Sequence, residues 1–442
     1  MPLDSAAPGG ETDCDVLIIG GGPAGATAAT LLAERGRRVV LLEKDRHPRF
    51  HIGESLLPLN LRLFERLGVQ EEIAAIGMYK PGARFVCDEH GRHTAFSFAA
   101  GLNQDYTYAY QVRRSEFDEV LFRRALKAGA DAREGIRVLD AALDAQEGHR
   151  IAARDESGAI HAFRARFVID ASGRDTFLAS TMGTKARNPH NNTAAIYGHF
   201  RGVAPFDAEE DGNITIHLFD EGWFWMIPLT RGVMSVGVVS NPGFFKRRRE
   251  SLEDFFLATL RAVPSVARRI AGAELASEIT ATGNYSYASK VMRGDGWLMA
   301  GDSYAFVDPV FSSGVLLAMA SAEMGAEVAD TWLEDPARGT AMSRAFERKV
   351  KRAIGSLSWL IYRINTPVLR DMFMTPSNRF RMREGLISLL AGDVHANANL
   401  QMPVIAFKTA YRMLSVAHRF GYRLGPQGLV KAAKARAMQA TG

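Results

Sequence analysis

The sequence predicts an α/β chain with a parallel sheet covered by helices at its start, an antiparallel sheet inserted midway and a helical end. Three stretches carry this reading. "DVLIIGGGPAGATAATLLAERGRRVVLLEK" (15 to 44) reads as strand, glycine turn, helix and strand. "NITIHLFDEGWFWMIPLTRGVMSVGVVSN" (213 to 241) reads as antiparallel strands joined by tight turns. "GWLMAGDSYAFVDPVFSSGVLLAMASAEMGAEVAD" (296 to 330) reads as a short strand, a turn and a long helix.

At 442 residues the chain is too long for one simple core, so two or three subdomains are expected. A hydrophobic content of 47% with 23% charged residues is that of an ordinary globular protein. The net charge of +5 suits an anionic cofactor or an acidic protein partner and falls short of a nucleic-acid-binding signature. Cys14 and Cys87 form no disulfide framework and no metal spacing, which points to a reducing, cytoplasmic compartment. The leader "MPLDSAAPGGETDCD" is polar and expected to be loose. The longest apolar run carries Glu323 and Glu327, so it reads as a buried helix and makes no case for membrane insertion.

The first strand, Asp15 to Ile19, is almost continuously apolar, as a strand covered on both faces must be. Gly20, Gly22 and Gly25 then form G-x-G-x-x-G. The first glycine permits the turn, the second lets backbone approach a pyrophosphate, and the third lets helix pack on strand. The helix N-terminus beyond, with Ala24 in its first turn, offers free N–H groups and a positive dipole end. Glu43 ends the second strand where a carboxylate can bind a ribose hydroxyl, with Lys44 beside it. Together these form a Rossmann-type dinucleotide fingerprint, which does not separate FAD from NAD.

The meander "AREGIRVLDAALDAQEGHRIAARDESGAIHAFRARFVID" alternates in strand fashion around an Asp-Glu-Ser-Gly turn. Within "GWFWMIPL" (222 to 229), Trp223 and Trp225 share one face of a strand that Pro228 is expected to end. A well-filled sheet interior explains two indoles equally well. After about residue 330 the chain reads as helical to its end. "FKRRRE" (245 to 250) reads as a solvated helix start, with a docking patch for an acidic carrier protein as the second reading, and the basic C-terminal tail has the same two readings. His47 and His51 flank a helix entry and lack a metal partner at ligand spacing.

The segment 296 to 330 resembles the Gly-Asp region of the flavoprotein monooxygenase superfamily. That resemblance implies FAD, with Asp302 reaching the ribityl chain and Pro309, Ser313, Gly314 and Val315 beside the flavin. "RRSEFDEVLFRRALKAGA" resembles the superfamily's Arg-x-x-Phe-Asp helix, with Arg114 as the matching arginine, and "FVIDASGRDT" its segment ending at Asp170 and Gly173. "WFWMIP" matches W-x-W-x-I-P at Trp223, Trp225, Ile227 and Pro228, a pattern of flavin-dependent halogenases. "RFHIGESLLP" and "YKPGARF" also resemble halogenase segments, and put Glu54 and Ser55 near the flavin and Lys80 at the family's lysine. From composition alone, Lys80 would read as a solvated side chain.

The resemblance implies a reaction. Reduced FAD (FADH2) from a separate reductase and O2 form a flavin hydroperoxide, and chloride or bromide converts it to hypohalous acid. The halide is expected near Ser312, Ser313 and Gly314. Two indoles would separate flavin from substrate and exclude water. Lys80 would carry or anchor the halogen. If Lys80 is buried, its amine should be the more readily deprotonated. Tryptophan-type relatives carry a glutamate where this chain has Phe311, so "DPVFSSG" resembles the phenol/pyrrole branch, whose substrates are free or carrier-tethered. The alternatives are a flavin-dependent monooxygenase, a geranylgeranyl-reductase-like oxidoreductase, and a non-catalytic flavin-binding protein. The expected organisation is a discontinuous FAD domain (13–185 and 290–328, with a substrate-side segment near 81–110), an inserted antiparallel sheet (186–289) and a helical region (330–442).

Overall fold

The computed structural model describes residues 11–189, 192–207, 211–283, 286–393, 398–425 and 428–431. The leader before residue 11 and the basic tail after residue 431 lie outside the described residues.

The first sheet has a parallel core whose strands lie in the order Trp297–Met299, Ile160–Asp170, Glu11–Ile19, Val39–Leu42, Asp131–Arg133. Its central strand is apolar without alternation because both faces are covered. Val16 and Ile18 enter one core with the helix Pro23–Ala33, while Leu17 and Ile19 enter a second core under the meander. That meander pairs Ile136–Ala142 with His149–Asp155, and His149–Asp155 with the start of Ile160–Asp170. The long helix Gly314–Glu334 packs on the first helix.

A second sheet crosses the chain's middle in the order Glu274–Leu275, Ala194–Arg201, Val233–Ser240, Gly222–Leu229, Ile214–Phe219, Gly82–Cys87, Arg92–Ser97. It is antiparallel except where Ile214–Phe219 runs parallel to Gly82–Cys87, a pairing the sequence reading did not foresee. The two strands from residues 82 to 97, within the segment expected on the substrate side, therefore join the sheet of the later insertion. The strand Gly222–Leu229 is buried throughout. Trp223, Trp225 and Ile227 face one core, and Phe224 and Met226 face another beneath the helix Leu252–Arg261. Pro228 does not end this strand. It pairs with Met234 on one side, and pairing with Ile214–Phe219 stops at Met226, so its missing N–H costs no ladder bond.

Other expectations are corrected at the ends of elements. "FKRRRE" joins the short helix Pro242–Phe245 to the helix Leu252–Arg261, capped by Ser251, and starts neither. His47 and His51 sit in the irregular stretch before the helix Asn60–Leu67, so they flank no helix entry. The C-terminal region is helical through Arg419, then forms a hairpin of Tyr422–Gly425 with Gly428–Lys431. Arg423 anchors that hairpin, donating to both oxygens of Asp371 and to Glu89. Among the described residues, no helix is long and apolar enough to cross a membrane.

Candidate active site

One large cavity, about 560 Å³, opens between the parallel sheet, the second sheet and the start of the long helix. Its wall brings together residues spread over most of the chain. The glycine turn lies at one end. Gly20 adopts φ +102, and a Cβ there would lie 2.5 Å from the Ala171 carbonyl oxygen. At Gly25 a Cβ would lie 1.8 Å from the Gly20 oxygen, so helix and strand meet at a distance only glycine allows. At Gly22 the nearest atom is Arg49 Nη2 at 3.5 Å, which leaves the space in front of the backbone open. The three glycines thus do different work: two make the turn and one leaves room in front of it.

Glu43 is held rigidly beside this turn. Its carboxylate accepts from the Gly21 N–H at 2.7 Å and the Asp45 N–H at 3.0 Å, and pairs with Arg49 at 3.2 Å. Arg49 also reaches Asp118 at 3.3 Å. Arg114 grips Asp118 through two N–H groups, at 2.7 and 3.0 Å, and donates to the Ile52 carbonyl. Burial pulls the Asp118 carboxyl up, but Arg114 and Arg49 overcome it and hold it below the usual carboxylate range. His51, on the cavity wall, is pushed down to about 4 by burial and by the Arg114 charge, so it stands neutral. No spacing in the sequence marks Arg49 or His51, because both act from an irregular loop.

At the other end, Gly301 turns at φ +64 and Asp302 faces the cavity. Burial pushes the Asp302 carboxyl up to about 7, against the pull of Arg114 and Arg174. Ser312 adopts φ +58, Ser313 caps the long helix and Gly314 begins it, with nothing within 4 Å of where a Cβ would stand. An open glycine turn at one helix N-terminus, a fixed carboxylate and a second open helix N-terminus fit a dinucleotide carrying a flavin. Lys44, paired with Asp175 at 2.5 Å, is on the wall too, as are Ala24, Pro309 and Val315.

Trp223 and Trp225 form part of the same wall, with ring centroids 5.9 Å apart. Trp225 donates from Nε1 to Ser235 Oγ at 3.1 Å and lies flat over Gly237, where a Cβ would meet the ring at 2.2 Å. Tyr197 continues the aromatic row, 5.8 Å from Trp225. Glu54 and Ser55 line the cavity from an extended segment. Glu54 pairs with His199 Nε2 at 2.8 Å, a partner that no motif announced.

Lys80 is the most unusual ionisable group here. It is completely buried, yet both of its hydrogen-bond acceptors are neutral: Ser55 Oγ at 2.8 Å and the Leu56 carbonyl at 2.7 Å. The Phe98 ring lies 5.3 Å from Nζ. Burial alone pushes its amine down to about 7. Lys80 does not reach the cavity wall, whereas Ser55 does. Of the residues singled out from the sequence for the flavin, halide and indole roles, Gly25 is the other one set back from the wall. Phe311 packs between Phe85 and Phe373, so this position offers a ring and no carboxylate.

A group of Cys87, Glu89 and His90 stands within ligand distance of one another, which the sequence spacing had not suggested. His90 is already bound to Asp371 at 2.7 Å and Glu89 to Arg423 at 2.7 Å, so the cluster is internally satisfied by a guanidinium.

The sequence matches the FAD binding domain family over residues 13–329. It is 38% identical over 70% of its length to a tryptophan 2-halogenase of Chondromyces crocatus, of which 60% is covered. It is 34% identical over 76% of its length to a flavin-dependent halogenase of Penicillium aethiopicum, of which 68% is covered. It is 28% identical over 89% of its length to a 1H-pyrrole-2-carbonyl-[peptidyl-carrier protein] chlorinase of Pseudomonas fluorescens, of which 92% is covered. The chain spans only about 60% of the first of these relatives. Among solved structures, it superposes on a flavoprotein/dehydrogenase of Cytophaga hutchinsonii with a TM-score of 0.83 at 26% identity, covering 92% of this chain and 100% of that one. On the myxobacterial chondrochloren halogenase the TM-score is 0.76 at 29% identity, covering 89% and 97%.

Proposed function

The chain belongs to the flavin-dependent halogenases, within the FAD binding domain family, and on that premise we propose that it halogenates an electron-rich aromatic ring. The reaction consumes FADH2, O2, a halide ion, a proton and Ar–H, and yields FAD, Ar–X and two waters. The observation that most supports this reading is a pair: two adjacent indoles on the wall of the cavity, and a fully buried lysine bonded to Ser55 on that wall.

Residues 13–185 (apart from 82–97) and 290–328 serve as the flavin domain, 186–289 with 82–97 as the substrate side, and the described residues from 330 to 431 as the C-terminal cover. Gly20, Gly22 and the helix behind them would carry the pyrophosphate, Glu43 a ribose hydroxyl and Asp302 the ribityl chain. Ser312, Ser313 and Gly314 would present N–H groups to the flavin's pyrimidine end and to the halide. Reduced FAD supplies the electrons that, with O2 and chloride or bromide, produce hypohalous acid. Trp223 and Trp225 hold the organic substrate away from the flavin and keep water out. Lys80 acts through Nζ. With its amine near 7, a large fraction is unprotonated at neutral pH and can accept or orient the halogen.

Phe311 in place of a carboxylate favours a phenol or pyrrole over an indole, because such rings are already electron-rich at carbon. The carrier-protein substrate named for one relative makes a tethered aromatic the leading form, and tryptophan, named for another, the runner-up. A separate reductase supplies FADH2, since the one glycine fingerprint serves FAD. The two free, buried thiols Cys14 and Cys87 suit the cytoplasm. The test is mass spectrometry of phenols and pyrroles, free and as carrier thioesters, incubated with enzyme, FADH2, O2 and either halide. A halogen isotope pattern is expected. Hydroxylated products alone would move the chain to the monooxygenases.

A further inference from the structure

The helix Ala398–Arg419 has two apolar faces, and among the described residues only one of them is covered. Phe407 is buried on the inner face, with Tyr411 and Leu414 packed beside it, in the same core that holds Trp223 and Trp225. On the outer face Met402, Ile405, Met413 and Val416 are exposed, and Phe420 just beyond continues the row. At about 100° per residue these five fall within about 80° of arc, with Thr409 filling the gap. Met402, Met413 and Phe420 are 72%, 69% and 76% exposed. Lys408, Arg412 and Arg419 form one edge of this stripe. The turn Arg379–Arg381 packs against the same helix and presents Phe380, 81% exposed, between Arg379 and Arg381.

Charge says what such a face accepts. From residue 394 to the end the sequence has Lys408, Arg412, Arg419, Arg423, Lys431, Lys434 and Arg436, and no Asp or Glu. Of these, Lys408, Arg412 and Arg419 border the stripe, while Arg423 is taken up by Asp371 and Glu89 and the last two lie outside the described residues. The cations crowd one another: burial, Arg363 and Arg412 together hold the Lys408 amine below the usual lysine range. A second copy of this face would meet it with like charge, which rules against self-association here. The side chains are Phe, Met and Arg more than Lys, the composition of a protein interface.

We propose that this outer face docks an acidic carrier protein, which delivers its tethered aromatic to the cavity. The proposal rests on the carrier-tethered form of the function above. Reduced flavin is small and needs no docking to arrive. A tethered ring reaches the cavity only if its bearer binds, and the stripe lies on the opposite side of the helix that packs into the tryptophan core.

The experiment uses the full chain and an acyl carrier protein of net negative charge, loaded with a pyrrole-2-carbonyl group on its phosphopantetheine thiol. Binding is followed by biolayer interferometry at low and high salt. Wild type should bind in a salt-sensitive way, and R412E/R419E should weaken binding about tenfold or more. Met413→Ser with Phe420→Ser should weaken it at both salts. Halogenation of the N-acetylcysteamine thioester of the same acid should stay within about twofold of wild type in every variant, because neither pair lies at the cavity. Equal carrier binding by wild type and R412E/R419E overturns the proposal. So does binding to phosphatidylglycerol/phosphatidylcholine vesicles in place of the carrier, or a dimer that the reversal dissociates. If binding behaves as expected but neither thioester is halogenated, the docking face stands and the halogenase reading fails.

Discussion

The proposed chemistry turns on one amine, that of Lys80. Its two acceptors are neutral, so nothing offsets the desolvation that lowers it to about 7. Lys80→Ala should abolish halogenated product while flavin reoxidation by O2 continues, read by stopped-flow absorbance beside mass spectrometry. Lys80→Arg should fail as well, since a guanidinium keeps its proton. In wild type, product per flavin turnover should rise with pH through about 7 as the free amine populates, and a flat profile between about pH 6 and 8 would remove the amine from the mechanism. Asp302 makes the opposite case. Its carboxyl is raised to about 7 by burial, so the folded state holds a proton that the unfolded chain has released. That contribution is complete below about pH 4 and lost as pH climbs through 7. In the flavin-free protein, Asp302→Asn should therefore be more stable than wild type at neutral pH, by about 1–2 kcal/mol once cavity water is allowed for, with little difference near pH 4. Equal urea midpoints for variant and wild type at neutral pH would show that this carboxyl is solvated.

At the level of the element, the glycine turn separates folding from binding. Gly20 and Gly25 meet backbone at distances no side chain tolerates, whereas Gly22 faces open space. Gly22→Val should accordingly fold with near-normal stability and lose FAD, because the branched side chain occupies the approach of the pyrophosphate. Normal flavin absorbance in the purified variant would refute the assignment of that space. The turn was fully legible in sequence because its three positions obey one local geometry. The tryptophan strand was legible only in part. Alternation placed both indoles on one face, and the neighbouring strands are joined by tight turns. The next strand of the sheet, residues 82 to 87, comes from far upstream to pair with Ile214–Phe219, and a parallel pairing leaves no turn signal. Pro228 was misread for a related reason: whether a proline ends a strand depends on where the neighbouring strand stops.

On the scale of the whole molecule, one cavity serves one clear dinucleotide fingerprint. NADPH added without a reductase should leave bound flavin oxidised, monitored by its visible absorbance. Rapid bleaching would instead support a self-sufficient hydroxylase. The cavity's composition explains why the site was recognised and why some of its members were not. Gly22, Glu43, Asp302 and Gly314 belong to local strand–turn–helix patterns that carry their own signals. Arg49, His51 and Tyr197 on the wall, and His199 behind Glu54, come from a loop and a sheet strand, and become neighbours only when two sheets close on each other.

By itself, then, the sequence determined what depends on short spacing: the parallel α/β core, the glycine turn, the Gly-Asp turn and the shared face of Trp223 and Trp225. Tertiary structure alone decided what depends on distant surfaces meeting. It buried Lys80 behind Ser55, paired Glu54 with His199, drew residues 82–97 into the second sheet and, among the described residues, left one face of the helix Ala398–Arg419 exposed. The physical reason is that hydrogen-bonding turns and side-chain periodicity are written within a few residues. Desolvation, charge pairing and exposure are set by whatever the rest of the chain brings alongside.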